Sequence, residues 1–146
     1  RTIIDRVFTF LHRRIRAAGG VGGADKLFTY LIRELPFIAS NLFDALRVMC
    51  GERESCAVAV EALLHIIRNR PTQRTRALRL LLEECSTPVV QCRKHIMTAV
   101  LKELVPERSL AKSIATFAIA ALEKFLDRDE DFVNEEGVPR LTEADE

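Results

Sequence analysis

Five arginines crowd a short stretch around Pro71, and their side chains are the ones in this sequence best suited to binding a charged partner. They are Arg68, Arg70, Arg74, Arg76 and Arg79. Guanidinium groups bind carboxylates and phosphates through paired hydrogen bonds. Because Arg70 precedes a rigid proline turn and Arg74 follows one helical turn later, the two could present a fork to one acidic group. The stretch has no aromatic residue for base stacking, so it favours a protein partner over RNA. The alternative is a solvated edge with ordinary surface pairs, such as Arg79 with Glu83 four residues on.

Other reactive side chains do not form a recognisable site. Cys92 and His95 lie one helical turn apart, but structural zinc needs four ligands and no Cys-x-x-Cys pair is present. His12 and His65 stand far from them in sequence, and no strand-to-helix turn carries a nucleophile. The glycines of residues 19–23 lack the spacing and flanking elements of a phosphate loop. We therefore predict a chain that is not an enzyme, with no catalytic residue, cofactor or metal.

The spacing of the prolines predicts the architecture that positions the arginines. Pro36, Pro71 and Pro106 follow one another at intervals of 35 residues, each after an amphipathic segment. Proline ends a helix, and two helices per unit of this length indicate a stacked helical repeat. The Trp, Gly and Tyr positions of tetratricopeptide repeats are missing, whereas Arg93 three residues before Ile96 fits the second helix of a HEAT repeat. The predicted fold is all-α, a HEAT-like α-solenoid of antiparallel helix pairs with about seven helices.

The apolar stripes and capping residues set the expected helix limits. Predicted helices cover about 2–18, 24–35 and 53–69. The other four begin at the N-caps Ser40, Thr72, Thr87 and Ser109, with Pro88 at the first helical position of the sixth. Gly19 is expected to end the first helix, and Gly51 suits the left-handed residue after the end of the third. The inward stripes include Ile4, Val7, Leu27, Leu81, Leu122 and Phe125.

Charge is unevenly distributed and suggests a division of the chain. The 146 residues carry a net charge of +1, but residues 1–80 hold 14 Lys and Arg against 7 Asp and Glu. Residues 127–146 form an acidic, aperiodic segment that we expect to be flexible. We predict an N-terminal helix with a glycine-rich joint over 1–23, helical repeats over 24–126 and the acidic tail over 127–146.

The cysteines and apolar segments bear on the cellular setting. Cys50, Cys56, Cys85 and Cys92 lie beside apolar residues in predicted helices, so we interpret them as reduced core thiols of an intracellular protein. No apolar run is long enough to cross a bilayer. The chain begins at Arg1 with no signal-like segment and is interpreted as a piece of a longer protein.

One further set of residues recurs in a characteristic order between about Leu27 and Leu126. It consists of Leu42, Phe43, Leu46, Cys50, Leu63, Ile67, Arg70, Pro71, Arg74, Leu78, Leu81, Leu82, Arg93, Ile96, Leu110, Ile114, Phe117, Ala118 and Leu122. In these residues the sequence resembles the helical-repeat body of the symplekin family. Cys92 stands where a valine is expected, and the glycine cluster at 19–23 has no counterpart in the family.

The resemblance implies a non-enzymatic scaffold in the nucleus. Its partners would be protein subunits of the pre-mRNA cleavage and polyadenylation machinery, namely the cleavage endonuclease module, the polyadenylation specificity factor and the cleavage stimulation factor. Direct RNA binding, a membrane and a small-molecule substrate are not expected. A generic HEAT-type adaptor of a transport or trafficking complex would share every feature except the quoted residues, and a small helical hydrolase or metal enzyme is the third alternative.

Overall fold

The described residues of this computed structural model, 2–19 and 22–135, form an all-helical protein without a β-strand. They contain seven α-helices, as predicted. These are α1 (Ile3–Ala18), α2 (Gly23–Glu34), α3 (Ser40–Cys50), α4 (Cys56–Asn69), α5 (Arg74–Glu83), α6 (Val90–Ala99) and α7 (Arg108–Glu135). A 3-10 turn (Glu84–Ser86) follows α5, and a π-helical turn (Val100–Leu104) follows α6. None of the described helices has the length and hydropathy of a membrane-spanning segment.

Both ends of α1 are fixed by local capping interactions. The amide of Asp5 donates to Thr2 Oγ1 over 3.2 Å, and the amide of Thr2 donates back to Asp5 Oδ2 over 3.0 Å. This reciprocal capping box satisfies two N–H groups that lack partners within the helix. Gly19 ends the helix, as predicted, and it does so in the left-handed conformation with φ 62°.

All four predicted N-caps are wrong, and the last of them, Ser109, is the second residue of α7. The N-cap of α3 is Ala39, whereas Ser40 is its first helical residue. The helix α5 begins one residue later than a Thr72 cap would allow, with Gln73 as the capping position. At the starts of α3 and α5 the side chains of Ser40 and Gln73 bond to distant parts of the chain instead. The hydroxyl of Ser40 accepts a hydrogen bond from Arg76, and the amide of Gln73 bonds to Ile38.

The start of α6 also differs from the prediction of a Thr87 cap followed by Pro88. The 3-10 turn after α5 extends to Ser86, and the amide of Thr87 donates to the carbonyl of Glu84 over 3.1 Å. Thr87 thus closes the preceding turn, and α6 begins at Val90. Gly51 has φ −89°, so α3 does not end in the predicted left-handed conformation.

Clustering of contacts divides the chain into two compact units, Arg1–Pro106 and Glu107–Glu146. In the first unit α4 lies at the centre and contacts α2, α3, α5 and α6, while α1 contacts α2 and α3. The helix α1 therefore belongs to the first unit. The side chains that are most fully buried are Ile15, Phe28, Ile32, Ile38, Phe43, Leu46, Met49, Leu63, Ile66, Ile67, Leu81 and Ile96.

Several predicted core positions are exposed because the helices at the ends bury narrower stripes. Ile4, Val7 and Leu27 are 43%, 38% and 55% exposed. Among the described residues α1 packs mainly against α2 and α3, and its buried stripe consists of Phe8, Leu11 and Ile15.

The second unit is built on the single helix α7, within which Leu122 and Phe125 are each 64% exposed, contrary to the prediction. A single helix offers no second element of its own unit to cover its stripe. The helix continues to Glu135 and so includes residues 127–135, which the sequence analysis assigned to the tail. The rest of the predicted tail, 136–146, lies outside the described residues, as do residues 20–21 of the glycine cluster.

Candidate functional site

Hydrogen bonds between side chains and distant chain segments recur at separations of 35–38 residues. The pairs are Asp5 with Asn41, Ile32 with Arg70, Ile38 with Gln73, Ser40 with Arg76 and Arg68 with Glu103. These separations match the 35-residue interval of the prolines. Side-chain contacts across the chain therefore recur at about the interval of the prolines, and three of the five predicted arginines take part.

Arg70 caps the carboxyl end of α2. Its Nη2 donates to the carbonyl oxygens of Ile32, at 2.7 Å, and Arg33, at 3.1 Å. Both carbonyls belong to the last turn of the helix, where they have no N–H partner within it and where the helix dipole favours a cation. The Nε of Arg70 is buried and has no hydrogen-bond acceptor among the described residues.

Arg74 plays the same part for a different helix. Its Nε donates to the carbonyl oxygen of Ile67 over 2.7 Å, in the last turn of α4. In this structure Arg70 and Arg74 therefore donate to the ends of two different helices and do not converge in a fork. Capping an otherwise unsatisfied helix end stabilises the fold whether or not a ligand is present.

The other three arginines make contacts of different strength. The guanidinium carbon of Arg76 lies 4.5 Å from the centre of the Phe43 ring, and its Nη1 donates to Ser40 Oγ over 3.0 Å. Arg68 Nη2 lies 2.6 Å from Glu103 Oε2. Arg79 Nε is 4.0 Å from Glu83 Oε1, which confirms the predicted surface pair. The side chain of Arg79 is 76% exposed and is the most accessible of the arginines that form ion pairs here.

A polar crevice of about 430 Å³ lies beside the ends of α2 and α4. Its lining includes Arg33, Glu34, His65, Asn69 and Arg70. Burial, together with the positive charges of Arg33 and Arg70, holds the pKa of His65 below its ordinary value. His65 is therefore neutral near pH 7. Sequence reasoning missed Arg33 and His65 because neither lies in the arginine stretch, although Arg33 precedes Arg68 by the repeat interval of 35 residues.

A second polar cluster joins α1 to the loop after α3. His12 Nε2 lies 2.7 Å from Glu52 Oε2, and Ser55 Oγ donates to the same carboxylate oxygen over 3.1 Å. Burial raises the pKa of Glu52, but the hydrogen bonds from His12 and Ser55 outweigh it and bring that pKa below its ordinary value. His12 also lines a cavity of about 360 Å³, together with Asp5 and Thr9 among others.

The order of groups in this cluster differs from that of a hydrolytic triad. In a triad the imidazole lies between the hydroxyl and the carboxylate. Here the hydroxyl of Ser55 bonds to the carboxylate directly and is also placed to donate to the carbonyl of Met49 over 3.0 Å. Ser55 is fully buried. The cluster therefore anchors the loop to α1. Sequence reasoning missed it because its partners are 40 residues apart.

The cysteines behave as core residues. All four are free thiols, and Cys50, Cys56 and Cys92 are buried. The Sγ of Cys56 lies 3.9 Å from the carbonyl oxygen of Cys92. Burial raises the pKa of Cys50 well above its ordinary value and that of Cys56 to about 12, so these thiols stay protonated. The described part of the chain has no group of three or more His, Cys, Asp or Glu side chains placed to hold a metal ion.

Comparison of the chain with family models, with curated proteins and with solved structures found no match.

Proposed function

We propose that this chain is a non-enzymatic, protein-binding scaffold segment whose helices form a HEAT-like α-solenoid of antiparallel pairs. The observation that carries the proposal is the series of hydrogen bonds at separations of 35–38 residues. Stacked repeats make contacts of this kind, because each unit touches only its neighbours and repeats the same joint. Such stacks expose a long surface for partners, which is the usual role of helical repeats.

More specifically, we propose that the segment supports assembly of the mRNA 3′-end cleavage and polyadenylation complex in the nucleus. This part of the proposal rests on the sequence resemblance to the symplekin family. The residues that carry it include both core positions, such as Leu81 and Ile96, and the Arg70-Pro71 turn that caps α2. The partners would be protein subunits of that complex.

Affinity capture with the purified chain as bait tests the proposal. Mass spectrometry of proteins retained from a nuclear extract should show subunits of the cleavage and polyadenylation machinery, and excess untagged chain should compete them away. Enrichment of transport or trafficking subunits instead would replace the symplekin-like role with that of a generic HEAT-type adaptor. Retention of no protein by a bait that is folded by circular dichroism would contradict the scaffold function.

An exposed arginine provides a matched variant for the same experiment. Arg79→Glu reverses a charge on a side chain whose only described ion pair is the weak 4.0 Å contact with Glu83, so the fold should be unaffected. If the five arginines bind an acidic partner, the variant should capture much less of it at an unchanged melting temperature. Unchanged capture would assign Arg68, Arg70, Arg74, Arg76 and Arg79 to fold stabilisation and a solvated edge.

A further inference from the structure

The crevice beside the ends of α2 and α4 contains two guanidinium groups without a carboxylate partner. The side chain of Arg33 is exposed, and its guanidinium group makes no hydrogen bond or ion pair with any described residue. Arg70 donates only to carbonyl oxygens, which are neutral acceptors. The one carboxylate in the lining is Glu34, and among the described residues it forms no ion pair with either arginine. The lining of this crevice therefore carries a net positive charge.

The repeat interval explains why Arg33 is unpaired. Arg68 pairs with Glu103, which lies 35 residues later in the chain, over 2.6 Å. Arg33 lies 35 residues before Arg68, so the position equivalent to Glu103 at the preceding joint holds an arginine. Arg68 therefore occupies the position at which the next joint has Glu103, and it cannot neutralise Arg33 as Glu103 neutralises Arg68. The missing negative charge is the feature that a ligand could supply.

Neutral donors complete the lining of the crevice. Asn69 Nδ2 lies 3.1 Å from His65 Nδ1, and the same amide nitrogen donates to the carbonyl of His65 over 3.0 Å. When Asn69 donates to Nδ1, the neutral imidazole carries its proton on Nε2 and remains a hydrogen-bond donor. Neutral His65 adds donor capacity without adding charge.

We propose that this crevice binds one side-chain carboxylate of an acidic peptide segment, with Arg33 as its principal ligand. With His65 neutral, the two arginines and Glu34 leave a net charge of +1 in the lining. That charge complements a single carboxylate better than a dianionic phosphate group. The volume of about 430 Å³ accommodates an Asp or Glu side chain with its neighbouring backbone. Arg70 is held in place by the carbonyls of α2, so it contributes a fixed positive potential.

This proposal deepens the scaffold function and rests on it for the peptide nature of the ligand. Direct binding of a fluorescein-labelled, C-terminally amidated hexaglutamate peptide to the purified chain tests it by fluorescence anisotropy at low ionic strength. The amidated end restricts the negative charge to side chains, and a hexaglutamine peptide is the neutral control. We expect the glutamate peptide to bind and the glutamine peptide not to bind.

Three variants identify the site. Arg33→Gln removes the unpaired guanidinium and should weaken binding about tenfold at an unchanged melting temperature. Arg13→Gln removes the same charge from an exposed position on α1, far from the crevice in sequence, and should change the affinity less than about twofold. Glu34→Gln removes the competing carboxylate and should strengthen binding severalfold.

Several outcomes would overturn the proposal. Equal weakening by Arg13→Gln and Arg33→Gln would mean that the peptide binds through diffuse surface charge. Tighter binding of a phosphoserine peptide than of the glutamate peptide would make the crevice a phosphate site instead. The scaffold function is tested separately from the crevice. If the chain binds hexaglutamate through Arg33 but captures no protein from extract, the crevice proposal stands and the scaffold function is refuted. If the chain captures partners but does not bind the peptide, the crevice proposal is refuted and the scaffold function stands.

Discussion

Replacing Gln73 by Met should reveal how strongly the 35-residue joints stabilise the fold. Gln73 is 7% exposed and lies immediately before α5. Its Nε2 donates to the carbonyl of Ile38 over 2.7 Å, and its Oε1 accepts from the amide of Ile38 over 3.2 Å. Ile38 is fully buried in the loop between α2 and α3. One side chain therefore satisfies both backbone groups of a buried loop residue.

Met has nearly the length of Gln and no amide, so Gln73→Met leaves the N–H and C=O of buried Ile38 without the side-chain partner that they have here. A buried polar group without a partner loses about 1–3 kcal/mol, and the better burial of an apolar side chain returns part of this. We expect a net loss of about 2–4 kcal/mol in the free energy of unfolding.

Urea denaturation followed by circular dichroism measures this loss. The matched control is Gln91→Met, since Gln91 is an exposed residue of α6, and its effect should stay within about 0.5 kcal/mol. If Gln73→Met changed the free energy of unfolding by less than about 1 kcal/mol, water would have to replace the amide of Gln73 at the backbone of Ile38, and the contact between the two residues would contribute little to stability.

The remaining predictions concern the leucines of the core, the cysteine thiols and the carboxylate of Glu52. Leu81→Ala should lower the free energy of unfolding by about 2–5 kcal/mol because Leu81 is fully buried. Leu27→Ala, at a position 55% exposed, should lower it by about 1 kcal/mol or less. Equal losses in urea denaturation would contradict the assigned burial. Ellman's reagent should modify half-buried Cys85 before the other three cysteines, and simultaneous modification would mean that the core opens as readily as the surface. Burial raises the pKa of Glu52 in the folded state, but hydrogen bonds outweigh it and hold that pKa below 4.5. The carboxylate therefore contributes stability above pH 4.5, and this stability is lost as the pH falls through the lower, folded-state pKa. Glu52→Gln should flatten the curve of urea midpoint against pH in that acid range, and an unchanged curve would refute the role of the His12 contact.

The proline interval predicted more of the fold than any single residue did. Together with the apolar stripes it predicted the number of helices among the described residues, and it matches the separation at which side chains bond across the chain. Both follow from backbone chemistry, because proline ends a helix wherever it stands after the first turn. The caps of α3, α5 and α6 could not be predicted from the same local rules. A capping hydrogen bond contributes only about 1 kcal/mol, and tertiary bonds to Ser40 and Gln73 compete with it successfully.

Apolar periodicity identified the helices but overestimated the width of their buried faces. In the central helix α4, which has neighbours on several sides, eight residues are buried. In α1 and α2 the outer members of the stripes, Val7 and Leu27, remain 38% and 55% exposed. The sequence specifies which residues share a face, whereas the number of helices that cover the face depends on the assembled fold.

The partners of the arginines were beyond sequence reasoning for a different reason. The acceptors of Arg70 and Arg74 are main-chain carbonyls, and a carbonyl oxygen is present at every position, so no residue type reveals it. The contact of Arg76 with the Phe43 ring connects residues 33 positions apart. The contact between His12 and Glu52 joins α1 to a loop whose course depends on the packing of α3.

The number of arginines in a stretch is therefore a poor guide to its affinity for an acidic partner. A helix that ends before a proline leaves carbonyls in its last turn without N–H partners. Arg70 satisfies such carbonyls on α2, and Arg74 satisfies one on α4, so part of the positive charge of this region serves the fold itself. What remains for a ligand is the charge that no carboxylate neutralises. By that criterion Arg33, which stands outside the arginine stretch, is better placed to bind an acidic partner than Arg74 within it.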